Sequence, residues 1–358
     1  MKTQAGLFDF ILKQWLLLLS ASGLVFTSVY LNQIPSWSIT ELKVLFILFA
    51  FFVAVKGVEN SGLMLRISRR LEMGGFIPLK LVLATFFSSM FLTNDAALIV
   101  IVPLTLSLRT KRKDIIVILE ALAANAGSAL TPFGNPQNLF IYWIYKLDPE
   151  KFILTIAPFS FVFMVLLIIF SIMIRSGKEQ KSARSTGRVR YFSYIYLSLL
   201  VIVILTALHV LPASAGIVVV IYALLMDRKS LRIDYSLLLC FFCFLGLATN
   251  IKTLLAPAIE SSGHVFLLSS MTSQVMSNVP TALLFARFTT QWKALLWGVS
   301  VGGFGSLFGS FANLIAYKLY LDHEDTDNSM QFTIQFLLFG YLAFFIGIGL
   351  YYILCVGK

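Results

Sequence analysis

Apolar segments of membrane-spanning length constrain this chain more than any other feature. Nine qualify or nearly qualify: 15–31, 42–62, 114–146, 152–174, 191–211, 212–226, 234–250, 292–321 and 329–355. A hydrocarbon core of roughly 30 Å takes about 20 apolar residues as a helix. Two further stretches, 76–108 and 264–290, are apolar but interrupted. Of the 358 residues, 58% are hydrophobic and 13% charged, and a soluble domain cannot keep that much apolar surface dry. The expected class is an all-α polytopic membrane protein, with the lipid bilayer as its first partner.

The net charge of +11 does not point to nucleic acid, because the positive residues fall in short loops between apolar runs. Lys2 and Lys13 precede the run Trp15–Val29, but another apolar run follows, so this is read as a retained first helix. Cys240 and Cys243 form a C-x-x-C among Phe241, Phe242 and Phe244. No His or acid lies nearby, and core packing is the better reading.

Lysine and arginine in short loops set the direction. The clusters are Arg66, Arg69 and Arg70; Arg109, Lys111, Arg112 and Lys113; six residues of the loop 175–190; and Arg228, Lys229 and Arg232. All four are expected in the cytoplasm, with the N-terminus inside and the C-terminus outside. The acidic run Asp322–Asp327 also falls inside, but acidic residues weigh little in this rule. Basic clusters flank 76–108 at both ends, so it does not cross. Its arms, 81–92 and 96–108, reach about the midplane at 1.5 Å per residue. The segment reads as a re-entrant hairpin with the tip Thr93-Asn94-Asp95. The segment 114–146 is too long for one straight span, and Pro132, Gly134 and Pro136 break it. It reads as two half-helices around an unwound polar centre.

The same pair of features recurs. Ser89, Thr93 and Asn94 correspond to Ser273, Ser277 and Asn278 at an offset of 184. Gly127, Phe133, Gly134, Asn138 and Leu139 correspond to Gly302, Phe308, Gly309, Asn313 and Leu314 at 175, and Thr131 to Ser306, hydroxyl for hydroxyl. Five crossings separate the two hairpins, so the second enters from the opposite face. The expected organisation is a first repeat in 1–174 and an inverted second repeat in 212–358. The basic loop and connecting helix 175–211 lie between them. Inverted repeats with discontinuous helices at mid-membrane mark the binding site of a secondary transporter.

The site residues expected there are Thr93, Asn94, Asp95, Thr131, Gly134, Asn135, Asn138, Ser277, Asn278, Ser306, Gly309, Ser310 and Asn313. Half-helix N-termini favour an anion and freed carbonyls a cation. Asp95 lies at the first tip, where the second has Val279. An intramembrane carboxylate is functional by default, as a cation ligand or proton carrier. The alternative is that Asp95 caps the returning arm at Ala96. Glu120 is a second candidate proton carrier or a structural partner. Lys56 and Glu59 read as a local ion pair. No zinc-protease, P-loop or catalytic-triad pattern is present, so no catalytic residue, cofactor or ATPase partner is expected.

At these motifs the chain resembles the ion transporter superfamily of arsenite permeases, sodium/proton antiporters of the same fold, citrate transporter-like proteins and divalent anion/sodium symporters. The resemblance covers nearly the whole chain. It rests on Phe91-Leu92-Thr93-Asn94-Asp95 with Pro103, on 124–138, on Ser277-Asn278-Val279-Pro280, and on Gly302-Gly303 through Asn313. The symporter branch carries a Ser-Asn-Thr triplet at each tip, which binds substrate carboxylate and helps bind Na⁺. Here the third position differs in both, and the Asn-Asp tip looks more like the permease and antiporter side. Na⁺ would sit near Asn94, Asp95 and Asn278. The resemblance further implies an elevator-like movement and a homodimer.

The expected function is secondary active transport of a small anion such as citrate, a dicarboxylate or arsenite, coupled to H⁺ or Na⁺, in a plasma membrane. A sodium/proton antiporter is the alternative on the same fold. A channel or membrane-embedded enzyme is the alternative of another class.

Overall fold

The computed structural model describes residues 2–63, 75–108, 112–174, 192–259, 264–323 and 329–356. The basic residues Arg66, Arg69, Arg70, Arg109, Lys111 and those of 175–190, and the acidic residues of 324–327, lie outside the described residues. Most of the described chain is helical, and no strand occurs among the described residues.

The first helices are α1 (Lys2–Leu31) and α2 (Ile39–Asn60). Ser38 starts α2 with a reciprocal capping box, its side chain accepting from the Glu41 N–H while Glu41 accepts from the Ser38 N–H. The first interrupted stretch is α3 (Ile77–Phe91) and α4 (Asn94–Ser107), packed against each other. Each is about 21–23 Å long at 1.5 Å per residue, short of a full crossing. Next come α5 (Lys113–Ser128), α6 (Pro136–Ile144) and α7 (Pro149–Met173). Proline at the first position of α6 and α7 suits a turn whose N–H has no partner in any case.

The chain continues through α8 (Phe192–Ala207), a 3₁₀ turn (Ala213–Ala215), α9 (Gly216–Met226) and α10 (Tyr235–Ile259). The second interrupted stretch is α11 (Val265–Met276) and α12 (Asn278–Phe285). The second broken helix is α13 (Trp292–Gly302) and α14 (Phe311–Leu321). Last is α15 (Ser329–Tyr351), which ends in a π turn.

Among the described residues, four segments are long and apolar enough to cross a membrane: Gln14–Leu31, Pro149–Met173, Tyr235–Thr253 and Ser329–Cys355. Shorter apolar helices accompany them. Large apolar side chains such as Phe26, Phe161, Met173, Val275 and Phe345 face outward. Such a surface is stable in lipid and not in water. The expected crossing at 212–226 contains only 11 α-helical residues, about 16 Å.

Contacts sort the helices into two groups. One comprises α1, α2, α8, α9 and α10. The other comprises α3 to α7 and α11 to α15. They meet where α2 touches α4 and α6, and where α10 touches α12. Lys56 and Glu59 form the expected local pair at 2.9 Å. Cys240 and Cys243 are free and buried, Cys240 accepting a bond from the Ser20 hydroxyl. No group of metal-ligating side chains occurs among the described residues.

Gly127 and Gly302 are among the glycines that allow close helix contact. A Cβ on Gly127 would collide with the Phe86 carbonyl and the Ser89 hydroxyl of α3; one on Gly302 would collide with Ser273 and the Ser270 carbonyl of α11. Replacing Gly127 with Ala is expected to cost about 1–3 kcal/mol through overpacking, read as a lower unfolding midpoint in detergent. Gly349→Ala, where a Cβ meets nothing within 4 Å, should not lower the midpoint.

Candidate functional site

Each interrupted helix must satisfy backbone groups that no water reaches. Asn138 does this for the first broken helix. Its amide nitrogen donates to the carbonyls of Ser128 (3.2 Å), Ala129 (2.9 Å) and Thr131 (2.9 Å). Asn313 does it for the second, donating to the carbonyls of Gly303 and Ser306, both at 3.0 Å. Ser128 and Thr131 correspond to Gly303 and Ser306 at the offset of 175 read from the sequence. The same side chain thus reaches the same two carbonyls in each half. Asn135 and Ser310 both cap the helix that follows, accepting from the Asn138 N–H at 2.9 Å and the Ala312 N–H at 3.3 Å.

A second matched pair ties each hairpin to its neighbouring break. The Thr131 hydroxyl donates to the Met90 carbonyl, and the Ser306 hydroxyl to the Gln274 carbonyl, both at 2.7 Å. Gln274 goes further than its counterpart Met90. Its amide nitrogen donates to the carbonyls of Gly302 (2.9 Å) and Phe304 (3.1 Å), and its amide oxygen accepts from the Ser306 N–H (2.7 Å). Gly134 and Gly309 sit among backbone carbonyls that leave no room for a Cβ.

The tips differ from each other. At the first, helix resumes at Asn94 and only Leu92 and Thr93 are non-helical. Thr93, rather than Asp95, caps the returning arm: its hydroxyl accepts from the Ala96 N–H at 3.1 Å. Asp95 sits in the first turn, half-buried. Its Oδ1 is enclosed and has no hydrogen-bond partner among the described residues. At the second tip, Ser277 has φ +72°, a region that L side chains rarely occupy. This turn lets the Asn278 N–H donate to the Gly309 carbonyl at 2.9 Å.

Amides from both halves converge. The Asn94 amide nitrogen lies 3.4 Å from both the Asn125 amide oxygen and the Ser310 hydroxyl. The Asn125 amide nitrogen donates to the Asn313 amide oxygen at 2.8 Å. Gly303 lies beside both Asn278 and Asn125, where its hydrogen leaves them space. The cluster is therefore Asn94, Asn125, Asn278, Ser310 and Asn313, all buried. Thr93, Thr131, Asn135, Asn138, Ser277, Ser306, Gly134 and Gly309 surround it, making the caps, bonds and close approaches that shape the breaks.

Glu120 lies elsewhere on α5, fully buried, with Oε1 accepting from the Thr105 hydroxyl and Oε2 unpartnered among the described residues. Asn125 and Gln274 are absent from the site residues expected from sequence. Asn125 looks like an ordinary polar position in an alanine-rich helix. Gln274 stands opposite an apolar Met90, so no matching pair points to it.

The model of the citrate transporter family matches residues 8–302. Inner membrane protein YbiR of Escherichia coli is 34% identical over 349 residues, covering 92% of this chain and 93% of that protein. An uncharacterized transporter of Methanocaldococcus jannaschii is 31% identical over 320 residues, 85% of this chain and 88% of the relative. A silicon efflux transporter of Oryza sativa is 32% identical over 126 residues, 33% of this chain and 26% of its own.

Truncating Asn138 to Ala removes the donor to three buried carbonyls. An unsatisfied buried polar group costs about 1–3 kcal/mol, so the detergent unfolding midpoint should fall clearly. Asn313→Ala should fall by a similar amount, because it loses two carbonyl bonds and the bond that it accepts from Asn125.

Proposed function

This chain belongs to the citrate transporter family, and from that premise we propose that it is a secondary active transporter of a small anion, coupled to H⁺ or Na⁺ by alternating access. The observation that carries this reading is the polar cluster built from both halves, with Asn94 against Ser310 and Asn125 against Asn313. Amide and hydroxyl groups with no lysine or arginine among them bind an anion through neutral donors and the starts of half-helices. The matched bonds of Asn138 with Asn313, and of Thr131 with Ser306, support two repeats, 1–174 and 212–358, with 175–211 between them. Their inversion, the nine crossings, and a cytoplasmic N-terminus with an external C-terminus follow from the loop charges. The naming of the Escherichia coli relative as an inner membrane protein supports a plasma membrane.

Asp95 is the coupling group in this reading. One of its oxygens is enclosed and unpartnered beside the cluster residue Asn94. A proton or Na⁺ supplies the missing partner, with Asn94 and Asn278 completing the cation's surroundings. The helices α3 to α7 and α11 to α15 move as a unit against the others, within a homodimer. An antiporter is the second reading, favoured by the unpartnered oxygens of Asp95 and Glu120.

A thermal-shift screen of purified protein distinguishes them, since a ligand of the folded state raises stability with the logarithm of concentration over Kd. Citrate, dicarboxylates and small oxo-acids form the panel, with and without Na⁺ and at two pH values. The expected result is an anion-specific shift that depends on Na⁺ or pH. Asn94→Ala and Asn278→Ala should weaken it by about tenfold in affinity, roughly 1.4 kcal/mol each. Asp95→Asn should remove the Na⁺ or pH dependence. A shift with Na⁺ or Li⁺ alone would favour the antiporter.

A further inference from the structure

Glu41 and Arg287 are far apart in sequence and belong to different helix groups. Glu41 starts α2, and its side chain is fully buried. Arg287 follows the end of α12 and is partly buried. They form an ion pair between Glu41 Oε1 and Arg287 Nη2. Glu41 Oε2 is held separately, accepting from the Ser38 N–H at 2.7 Å and the Ser38 hydroxyl at 2.8 Å. The Arg287 Nε is buried and has no partner among the described residues. Glu41 is thus anchored on its own helix with or without the arginine, while the arginine is held through its guanidinium end.

A cavity of about 520 Å³ lies between α1, α10 and α14. Its lining includes Trp15, Leu237, Phe311 and Ile315, and the exposed residues Asp234 and Lys318. Phe311 directly follows Ser310 of the polar cluster. The cavity therefore runs from the solvent-exposed ends of α10 and α14 to the edge of the site. In the proposed topology this is the cytoplasmic side. The start of α2 and the end of the second hairpin both face outside, as their contact requires.

We propose that the Glu41–Arg287 pair is an outer latch. It holds the second hairpin against α2 while the cavity between α1, α10 and α14 admits solute from the cytoplasm. It breaks when the chain opens outward. Apolar side chains would hold a permanent contact at least as well as a buried ion pair does. A charge pair suits a contact that must open, because each separated partner is solvated by the water that enters. The latch rests on the alternating-access reading, and its test is independent of any substrate.

The reporter is Ile315→Cys in a background where Cys240, Cys243 and Cys355 are replaced by Ser. An impermeant maleimide is added to inside-out vesicles. With the latch intact the reporter should label quickly from the cytoplasmic side. Arg287→Gln and Glu41→Gln should slow labelling at least about threefold as the population shifts outward, with Arg287→Lys near the parental rate. Unchanged rates in variants that keep the parental unfolding profile would overturn the latch. Glu41→Cys with Arg287→Cys provides a second measurement, the two thiols being bridged from the outside, before the vesicles are inverted, by an impermeant bifunctional thiol reagent that spans the length of the two native side chains. Bridged in this way, the form should label faster at position 315 than when left unbridged. Equal rates would overturn the proposal. A chain that moved no anion but showed this pattern would overturn the proposed transport and keep the latch. Anion uptake with invariant labelling would overturn the latch alone.

Discussion

The helices of this protein stop in its interior, and a backbone that stops there must find its hydrogen bonds within the protein. Asn138 and Asn313 meet that requirement. Each sends one amide back across the break to carbonyls that have lost their helical partners. Thr131 and Ser306 fasten the same segments to the neighbouring hairpins. Without these bonds the carbonyls of the unwound segments would be left unsatisfied in the interior. Side chains of modest size make these bonds, and beside them the amides of Asn94, Asn125 and Asn313 meet one another.

That arrangement links fold to chemistry. Two hairpin tips and two broken helices bring short polar groups together. The starts of α4, α12 and α14 bring partial positive charge without a basic side chain. Asp95 adds one titratable charge on one side only, since the second tip carries Val279. Matched contacts shape the breaks in both halves, and Asp95 is one of the positions at which the halves differ, as Gln274 opposite Met90 is another. The helices sort into two groups that touch each other at few places.

Much of this was legible in the sequence, for a physical reason. A break inside a membrane needs the same residue types wherever it occurs, so two breaks leave two similar strings at fixed offsets. Gly127 with Gly302, Asn138 with Asn313, and Thr131 with Ser306 were readable as pairs, and the structure gives each pair matching contacts. Details that depend on one hydrogen bond were not readable. The triplet Thr93-Asn94-Asp95 looks non-helical as a string, yet the Thr93 cap lets helix start at Asn94. Asn125 hides among alanines because its partner, Asn313, lies 188 residues away. Glu41 reads locally as half of a capping box with Ser38, and nothing in its neighbourhood announces Arg287, 246 residues on.

The most direct measurement of the central claim, that the paired amide cluster is where a coupled anion is carried, is uptake into liposomes containing the purified chain. A gradient of pH or Na⁺ is imposed, and labelled citrate and smaller oxo-anions are supplied outside. The account predicts saturable accumulation of at least one anion against its own gradient, collapsing with the ion gradient and lost in Asn94→Ala. Uptake that rises linearly with concentration and ignores the gradient would contradict it, as would accumulation that Asn94→Ala leaves intact.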